Sequence, residues 1–137
     1  MGNEKEEHKL TLIKGENGKF GIYNGAGFQV EGSFSPDSEG LNPKEMLEAS
    51  LAMCTIIVLQ RMFERDGVEV QANEFSVEVK AIKAPDSPAR FEKCEMKITL
   101  PERFSDEYKK KLILSAERAC TIGNTLRKGL VVVKNDK

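Results

Sequence analysis

Alternation of apolar and polar residues divides the first quarter of the chain into short stretches with strand character. Three such stretches are present, over residues 10–14, 19–23 and 28–31. The pairs Asn17-Gly18 and Asn24-Gly25 separate them, and Asn-Gly is a strong hairpin signal because both residues tolerate positive φ. The pattern predicts a three-stranded antiparallel meander, followed by a loop over 33–41 rich in Ser, Gly, Pro and acidic residues.

The middle of the chain has the features of one long helix with both ends marked. Asn42 fits the N-cap, Pro43 the first helical position, and Glu45 the third, from which its side chain can complete a capping box. Gly67 supplies the C-terminal stop. Residues 49–59 are uncharged on every face, which is the pattern of a helix buried all round. In so small a domain, this burial predicts that a second subunit covers part of the helix.

Alternation returns after this helix and then gives way to helical spacing. Two stretches place their apolar side chains on one side each, and a turn rich in Pro joins them. Ser105 is a suitable N-cap for the helix that follows, and Gly129 ends the last helical turn. The predicted elements are strands over 74–84 and 90–100, helices over 106–119 and 122–128, and a last strand over 130–133.

The order of these elements predicts the α+β class. The chain has no internal repeat, linker or low-complexity segment, and 137 residues is an ordinary length for one hydrophobic core. We therefore expect a single domain over 1–137, with a charged and flexible tail over residues 1–8 that includes His8.

Composition excludes several classes of partner. Lys and Arg total 21 against 22 Asp and Glu, and both signs are dispersed, so the chain lacks the basic surface that nucleic acids or anionic membranes require. The first residues lack the apolar stretch of a signal peptide, and the uncharged run over 49–59 is too short to span a bilayer. We expect a soluble cytoplasmic protein with no nucleic-acid or membrane partner.

The candidate chemistry lies in three cysteines, Cys54, Cys94 and Cys120. They are far apart, without Cys-x-x-Cys spacing, and His8 is the only histidine, so we expect no metal site. In a reducing cytosol such cysteines are either small core residues or reactive thiols. Cys94 is on the apolar side of a predicted strand and fits the core, whereas both possibilities stay open for Cys54 and Cys120.

Two motifs together resemble the OsmC/Ohr family of thiol-dependent hydroperoxide reductases. The first runs from Gly40 through Pro43 and Glu45 along an apolar helix to Cys54, similar to the family's Gly-x-x-Pro, acid, helix and Cys. The second is Cys120-Thr-Ile-Gly-Asn-Thr-Leu, similar to the family's Cys-Pro-Val-x-x-Thr-Leu. The order of the predicted elements also matches, so the resemblance covers nearly the whole chain.

The resemblance implies an intertwined homodimer with an active site at each subunit boundary. Cys54 would be the thiol that attacks an organic hydroperoxide, and Cys120 would resolve the resulting sulfenic acid as a disulfide. An external dithiol would then reduce that disulfide. Glu45 would support the site electrostatically, and the chemistry needs no metal or organic cofactor.

A thiol attacks as the thiolate, so a cysteine in an apolar helix needs a nearby cation or hydrogen-bond donor. In the family that partner is an arginine from the N-terminal strands, held by the glutamate of the first motif. This sequence has no arginine before Arg61, so a lysine would have to take its place. The alternative function is therefore an OsmC-like protein that binds a small molecule or senses redox state without peroxidase activity.

Overall fold

The structure is a computed structural model that describes residues 11–134. The predicted tail over 1–8 lies outside these residues. The chain divides into two compact units between Met46 and Leu47. The described residues form three α-helices, one short 3-10 turn and two antiparallel sheets, so the α+β prediction is confirmed. The single domain over 1–137 stays a prediction.

The N-terminal unit is built on the predicted meander. Its strands are β1 (Leu12–Glu16), β2 (Lys19–Tyr23) and β3 (Gln29–Gly32), paired antiparallel in sequence order. Glu16 pairs with Lys19 across a tight turn in which Asn17 has φ 54° and Gly18 has φ 77°. Positive φ at both central residues matches the strand twist, as in type I′ hairpins.

The second hairpin turn is longer than the first. The side-chain oxygen of Asn24 accepts hydrogen bonds from the N–H groups of Ala26 and Phe28, each at 3.0 Å. The positive φ, 85°, falls at Gly27. Asn24 therefore closes the loop through its side chain, as Asn does in Asx turns.

The loop after β3 leads into the first helix, α1 (Pro43–Asp66). The Asn42 side chain accepts from the Glu45 N–H at 2.8 Å, and the Glu45 carboxylate accepts from the Asn42 N–H at 2.9 Å. The predicted capping box is thus confirmed. At the other end, Gly67 has φ 69° and follows the last helical residue, as the sequence predicts.

One face of α1 packs in the core of the C-terminal unit, and the burial of its other side by a second subunit stays a prediction. Leu59 is fully buried, whereas Met53 is 57% exposed and Ile57 is 40% exposed on the outward side. By length and composition α1 is the one helix among the described residues that could cross a membrane. Its inner face contacts other core side chains of the C-terminal unit.

The other elements of the C-terminal unit are a hairpin and two helices. A 3-10 turn (Ala72–Glu74) precedes β4, so this strand begins two residues later than predicted. The elements are β4 (Ser76–Lys83), β5 (Phe91–Thr99), α2 (Asp106–Ala119) and α3 (Thr121–Lys128). The buried core residues of this unit come from α1, from α2 and from the position directly after β5: Val58, Leu59, Met62, Phe63, Leu100, Leu112 and Ala116.

The last predicted strand is wrong. Residues 130–133 form no strand in the described chain, and their side chains are 74–92% exposed. Leu-Val-Val-Val has strong strand propensity, but a strand also needs a neighbouring strand to satisfy its backbone. No strand of the described residues pairs with this run.

Candidate thiol site

Cys120 is the single residue between α2 and α3, and both helices fix it. Its N–H donates to the Ala116 carbonyl at 3.1 Å and its carbonyl accepts from the Asn124 N–H at 2.9 Å. Its Sγ accepts from the Gly123 N–H at 3.3 Å, so the thiol is the N-cap side chain of α3. With 2% of its surface exposed, Cys120 is held in one orientation by backbone contacts.

Cys54 lies on α1 at the border of its buried face and is half-buried. Three groups at the junction of α2 and α3 lower the pKa of Cys54: the backbone N–H groups of Ile122 and Thr121, and the side chain of Cys120. Two thiols that are distant in sequence are therefore neighbours in the C-terminal unit. Both are free thiols in this structure.

The surroundings of Cys54 favour its thiolate. Burial, the largest single influence, raises the pKa of Cys54, but the donors from Ile122, Cys120 and Thr121 and the positive charge of Arg61 together lower it below its ordinary value. N–H groups in the first turn of a helix are a known source of thiolate stabilisation, because they point away from the helix toward the anion. In this protein the first turn of α3 supplies these N–H groups.

Thr55 connects the thiols to the neighbouring strand. Its hydroxyl is buried and hydrogen-bonds to the Leu51 carbonyl at 3.0 Å. The same oxygen lies 3.8 Å from the Cys120 Sγ and 3.8 Å from the Met96 Sδ of β5. The Cys120 sulfur is thus contacted by the amide of Gly123 on one side and by the Thr55 hydroxyl on another.

A cavity of about 780 Å³ opens beside Cys120. Cys120, Thr55 and Met96 line it, and Cys54 does not. Most of the other lining residues are apolar, including Leu51, Ile98, Ile113 and Leu126. This volume is in the range of small-molecule sites. Within residues 11–134, no group of three or more His, Cys, Asp or Glu side chains is arranged to hold a metal.

Cys94 differs from its expected place in the core. It is half-buried on β5, opposite Ala81 of β4, and lines the same cavity as Cys120. The alternation of β5 placed Cys94 on the same side as Met96, as the sequence predicts. This side of β5 lines the cavity near Cys94 and packs against the core only near Ile98.

Glu45 belongs to the N-terminal unit, where both carboxylate oxygens have partners. One accepts from the Asn42 N–H at 2.9 Å and the other from the Asp37 N–H at 3.2 Å. These contacts give Glu45 a structural role at the start of α1. A catalytic role stays a prediction.

Sequence reasoning missed the three groups that act on the thiols besides the cysteines themselves. Thr55 was unremarkable in an apolar run, and the amides of α3 carry no sequence signal beyond the helix start. Arg61 had a signal, since it follows Cys54 by seven positions, which is close to two helical turns. That spacing puts both residues on one side of α1.

The described residues thus form an α+β fold in which the long helix carries one thiol and the junction of α2 and α3 carries another. The chain belongs to the family of OsmC-like proteins, because the model of that family matches residues 36–134. The resemblance found in the sequence motifs is thus confirmed. Among curated proteins no sequence matches this chain.

Solved structures share the fold at low sequence identity. An OsmC-like protein from Mycoplasma pneumoniae matches with a TM-score of 0.71 at 16% identity, covering 87% of this chain and 88% of that one. The organic hydroperoxide resistance protein OhrB of Bacillus subtilis matches with a TM-score of 0.60 at 18% identity, covering 88% and 90%. An organic hydroperoxide resistance protein OsmC from Legionella pneumophila has a TM-score of 0.63 at 13% identity, covering 87% and 90%.

Proposed function

We propose that this protein is a thiol peroxidase that reduces organic hydroperoxides through Cys54 and Cys120. The observation that carries the proposal is the position of Cys120 beside Cys54: the hydroxyl of Thr55, the next residue, lies 3.8 Å from the Cys120 Sγ, and the Cys120 side chain lowers the pKa of Cys54. Membership of the OsmC-like family and the hydroperoxide resistance proteins among its structural neighbours support the same chemistry.

The first step needs a thiolate, and Cys54 is the thiol with a lowered pKa. Its sulfur attacks the terminal oxygen of the hydroperoxide, forming an S–O bond as the O–O bond breaks. The departing alkoxide takes up a proton and leaves as the alcohol, and Cys54 becomes a sulfenic acid. The amides at the start of α3 face the sulfur that carries the negative charge before this step.

The second step joins the two cysteines. The Cys120 sulfur attacks the Cys54 sulfenic acid, an S–S bond forms, and the sulfenic oxygen leaves as water after protonation. Cys120 lies beside Cys54 for this step, since the hydroxyl of the next residue, Thr55, is 3.8 Å from the Cys120 Sγ. An external dithiol then takes over the disulfide and returns both thiols. Such a cycle requires a reducing compartment, which fits the expected cytoplasmic location.

The experiment is a turnover assay with cumene hydroperoxide and dithiothreitol on four proteins. We expect the wild type to consume peroxide, Cys54→Ser to be inactive, and Cys120→Ser to stop at a sulfenic acid that a dimedone-type probe traps on Cys54. Cys94→Ser is the matched control, since Cys94 lines the cavity and has no part in the proposed steps. Unchanged turnover in Cys54→Ser would refute the proposal.

The proposal includes a homodimer in which a second copy covers the outward face of α1. Met53 and Ile57 leave this face apolar and open in the single chain. Two copies that pack these faces together would remove the exposed apolar area and cover the outer side of Cys54. The intertwined arrangement that the sequence motifs imply is consistent with this.

Sedimentation or light scattering at several protein concentrations tests the dimer. We expect Ile57→Glu to shift the population to monomer, because a carboxylate cannot be buried at an apolar interface without a large desolvation cost. Leu114→Glu on α2 is the control, since Leu114 is similarly exposed at 47% and lies on another helix. If the wild type is monomeric at micromolar concentration, the dimer proposal fails and the thiol chemistry is tested separately.

A second function is favoured by one observation. The cavity beside Cys120 is largely apolar and its lining omits Cys54, so it can hold a ligand without exposing that ligand to the attacking thiol. The protein would then bind a small apolar molecule or sense redox state through its thiol pair. The two functions differ in the turnover assay, because a binding or sensing protein would form the disulfide once and not cycle.

A further inference from the structure

Thr55 holds a fixed and buried hydroxyl between α1 and the Cys120 sulfur. The residue is 2% exposed, and its hydroxyl bonds the Leu51 carbonyl one turn back at 3.0 Å. Threonine in a helix is stiff about χ1, and a bond to the carbonyl four residues back selects one of its rotamers. The hydroxyl oxygen is therefore held in place, 3.8 Å from the Cys120 Sγ and 3.8 Å from the Met96 Sδ.

This hydroxyl has one hydrogen and three acceptors within reach. A hydroxyl donates one hydrogen bond and accepts through two lone pairs, whereas a thioether is a weak acceptor. When Cys120 is a neutral thiol, the Leu51 carbonyl is the best acceptor, and a lone pair of the hydroxyl oxygen is left for the Cys120 S–H. When Cys120 is a thiolate, the sulfur is the stronger acceptor, because charge-assisted hydrogen bonds exceed neutral ones.

Turning the hydroxyl hydrogen from the carbonyl to the sulfur leaves no backbone group unpaired. The Leu51 carbonyl lies inside α1, where it also accepts the N–H of Thr55, four positions further on. Only a hydrogen has to move, since the oxygen and the sulfur keep their positions. The Gly123 N–H, 3.3 Å from the same sulfur, donates to it in either state.

We propose that Thr55 is a positioning residue for Cys120, because its hydroxyl accepts the S–H hydrogen of the thiol and donates its own hydrogen to the thiolate. This inference rests on the proposed peroxidase cycle, in which Cys120 attacks the Cys54 sulfenic acid as a thiolate. The S–S bond forms, the S–O bond of the sulfenic acid breaks, and the proton released by Cys120 leaves with the sulfenic oxygen as water. Thr55 stabilises the thiolate for that step and is not itself ionised.

Charged and titratable groups also face Cys120, and they differ from Thr55 in their response to salt. The Cys54 thiol lies beside it on α1. The others line the cavity: Glu92, Lys93 and Cys94 of β5, Glu117 of α2 and Arg127 of α3. Charges that act across solvent are screened over about 3 Å at 1 M salt, compared with about 10 Å at 0.1 M. A contact with a neutral hydroxyl is not screened in this way.

The test is the pH profile of Cys120 alkylation in the reduced full-length protein, measured with iodoacetamide and mass spectrometry of the Cys120 peptide. All proteins compared carry Cys54→Ser and Cys94→Ser, so that Cys120 is the one thiol of the chain. We expect Thr55→Val to move the alkylation midpoint upward by about one pH unit, which is about a tenfold loss of thiolate. Thr55→Ser keeps the hydroxyl and should stay near the parent protein. The shift should be the same at low and at high salt.

Thr125→Val on α3 is the matched control, since the Thr125 hydroxyl makes the same contact with the carbonyl four residues back, at 2.8 Å. It should leave the midpoint unchanged. Thr55→Ala removes the hydroxyl with a smaller side chain and should repeat the shift, so the test does not depend on how well valine fits. A midpoint that stays in place in Thr55→Val and Thr55→Ala, or that moves equally far in Thr55→Ser, would overturn the role of Thr55.

The resolving step gives a second readout, in proteins that keep Cys54. After one equivalent of cumene hydroperoxide, Thr55→Val should form the disulfide about tenfold more slowly at pH 7 and hold more sulfenic acid on Cys54 for a dimedone-type probe. The rate should recover as the pH is raised, which a merely structural role would not produce. Disulfide formation at the wild-type rate in Thr55→Val would overturn this inference alone. A wild type that forms no sulfenic acid would instead remove the proposed function, and the alkylation midpoints would still decide the role of Thr55.

Discussion

Gly40 is placed where only a glycine fits, and substituting it tests the geometry that starts α1. Its φ is 99°, and an added Cβ would meet the Glu31 carbonyl oxygen at 2.7 Å, a backbone atom that cannot turn aside. Positive φ costs a residue with a Cβ about 1–2 kcal/mol. Relieving the overlap would also lengthen the hydrogen bond from the Leu41 N–H to that oxygen, now 3.0 Å, at about 0.5–1.5 kcal/mol. We expect Gly40→Ala to destabilise the protein by about 1.5–3.5 kcal/mol.

Gly18→Ala is the matched control for this substitution. Gly18 also has positive φ, 77°, but nothing lies within 4 Å of its added Cβ, so the cost should be the backbone term alone, about 1–2 kcal/mol. Urea denaturation followed by circular dichroism at one fixed protein concentration gives both values. Hydrogen exchange at the Leu41 amide should accelerate in Gly40→Ala only. Equal destabilisation by the two substitutions would show that the contact with Glu31 is not as tight as the structure has it.

Three further substitutions probe the C-terminal unit. Leu59→Ala removes a fully buried side chain from the core and should lower the free energy of unfolding by about 2–5 kcal/mol in the same denaturation assay. Gly123→Ala should raise the free energy of unfolding by about 0.5–1 kcal/mol. The new methyl meets its nearest atoms at 3.4 Å or more, and alanine loses less backbone entropy than glycine when the helix forms. Burial and the hydrogen bond to Asp66 raise the pKa of Tyr108 to about 12. A folded pKa above the unfolded value of about 10 gives stability that is complete below pH 10 and lost as pH rises through 12, so Tyr108→Phe should flatten stability against pH in that window.

Local sequence signals predicted the elements whose ends are marked by capping or turn residues. Helix α2 has the predicted bounds, because Ser105 accepts from the Tyr108 N–H at 3.1 Å as an N-cap should. Helix α1 begins and ends where its capping box and Gly67 place it. These signals act within three or four residues, so they can be recognised without knowing the tertiary structure.

Burial was harder to predict, because it depends on what lies beside each face. The uncharged run in α1 does not reveal that one side faces the core and the other is open in the single chain. The run over 130–133 has strand character, but whether it forms a strand depends on a partner edge. Cys94 follows the alternation of β5, yet the same side of that strand is cavity wall at one end and core at the other.

The sequence predicted the two cysteines of the candidate site, but not the groups that change the pKa of Cys54. Motif resemblance identified Cys54 and Cys120, whereas the groups that lower the pKa of Cys54 are mainly backbone amides and the second thiol. Every sequence has backbone amides, so only the fold reveals which of them lie at a helix start beside a sulfur. The sequence predicts a lysine side chain near Cys54, whereas the pKa of Cys54 is lowered mainly by backbone amides at the start of a helix.

The junction between α2 and α3 links the two proposed roles of Cys120. Its Sγ caps α3 by accepting from the Gly123 N–H, and the same turn aims the Thr121 and Ile122 amides at Cys54. In the proposed cycle, a disulfide would draw that sulfur toward Cys54 and weaken its contact with Gly123. Loss of an N-cap destabilises the first helical turn. Because that turn also stabilises the Cys54 thiolate, oxidation would loosen the group that activates the reduced enzyme, and reduction would restore cap and activation together.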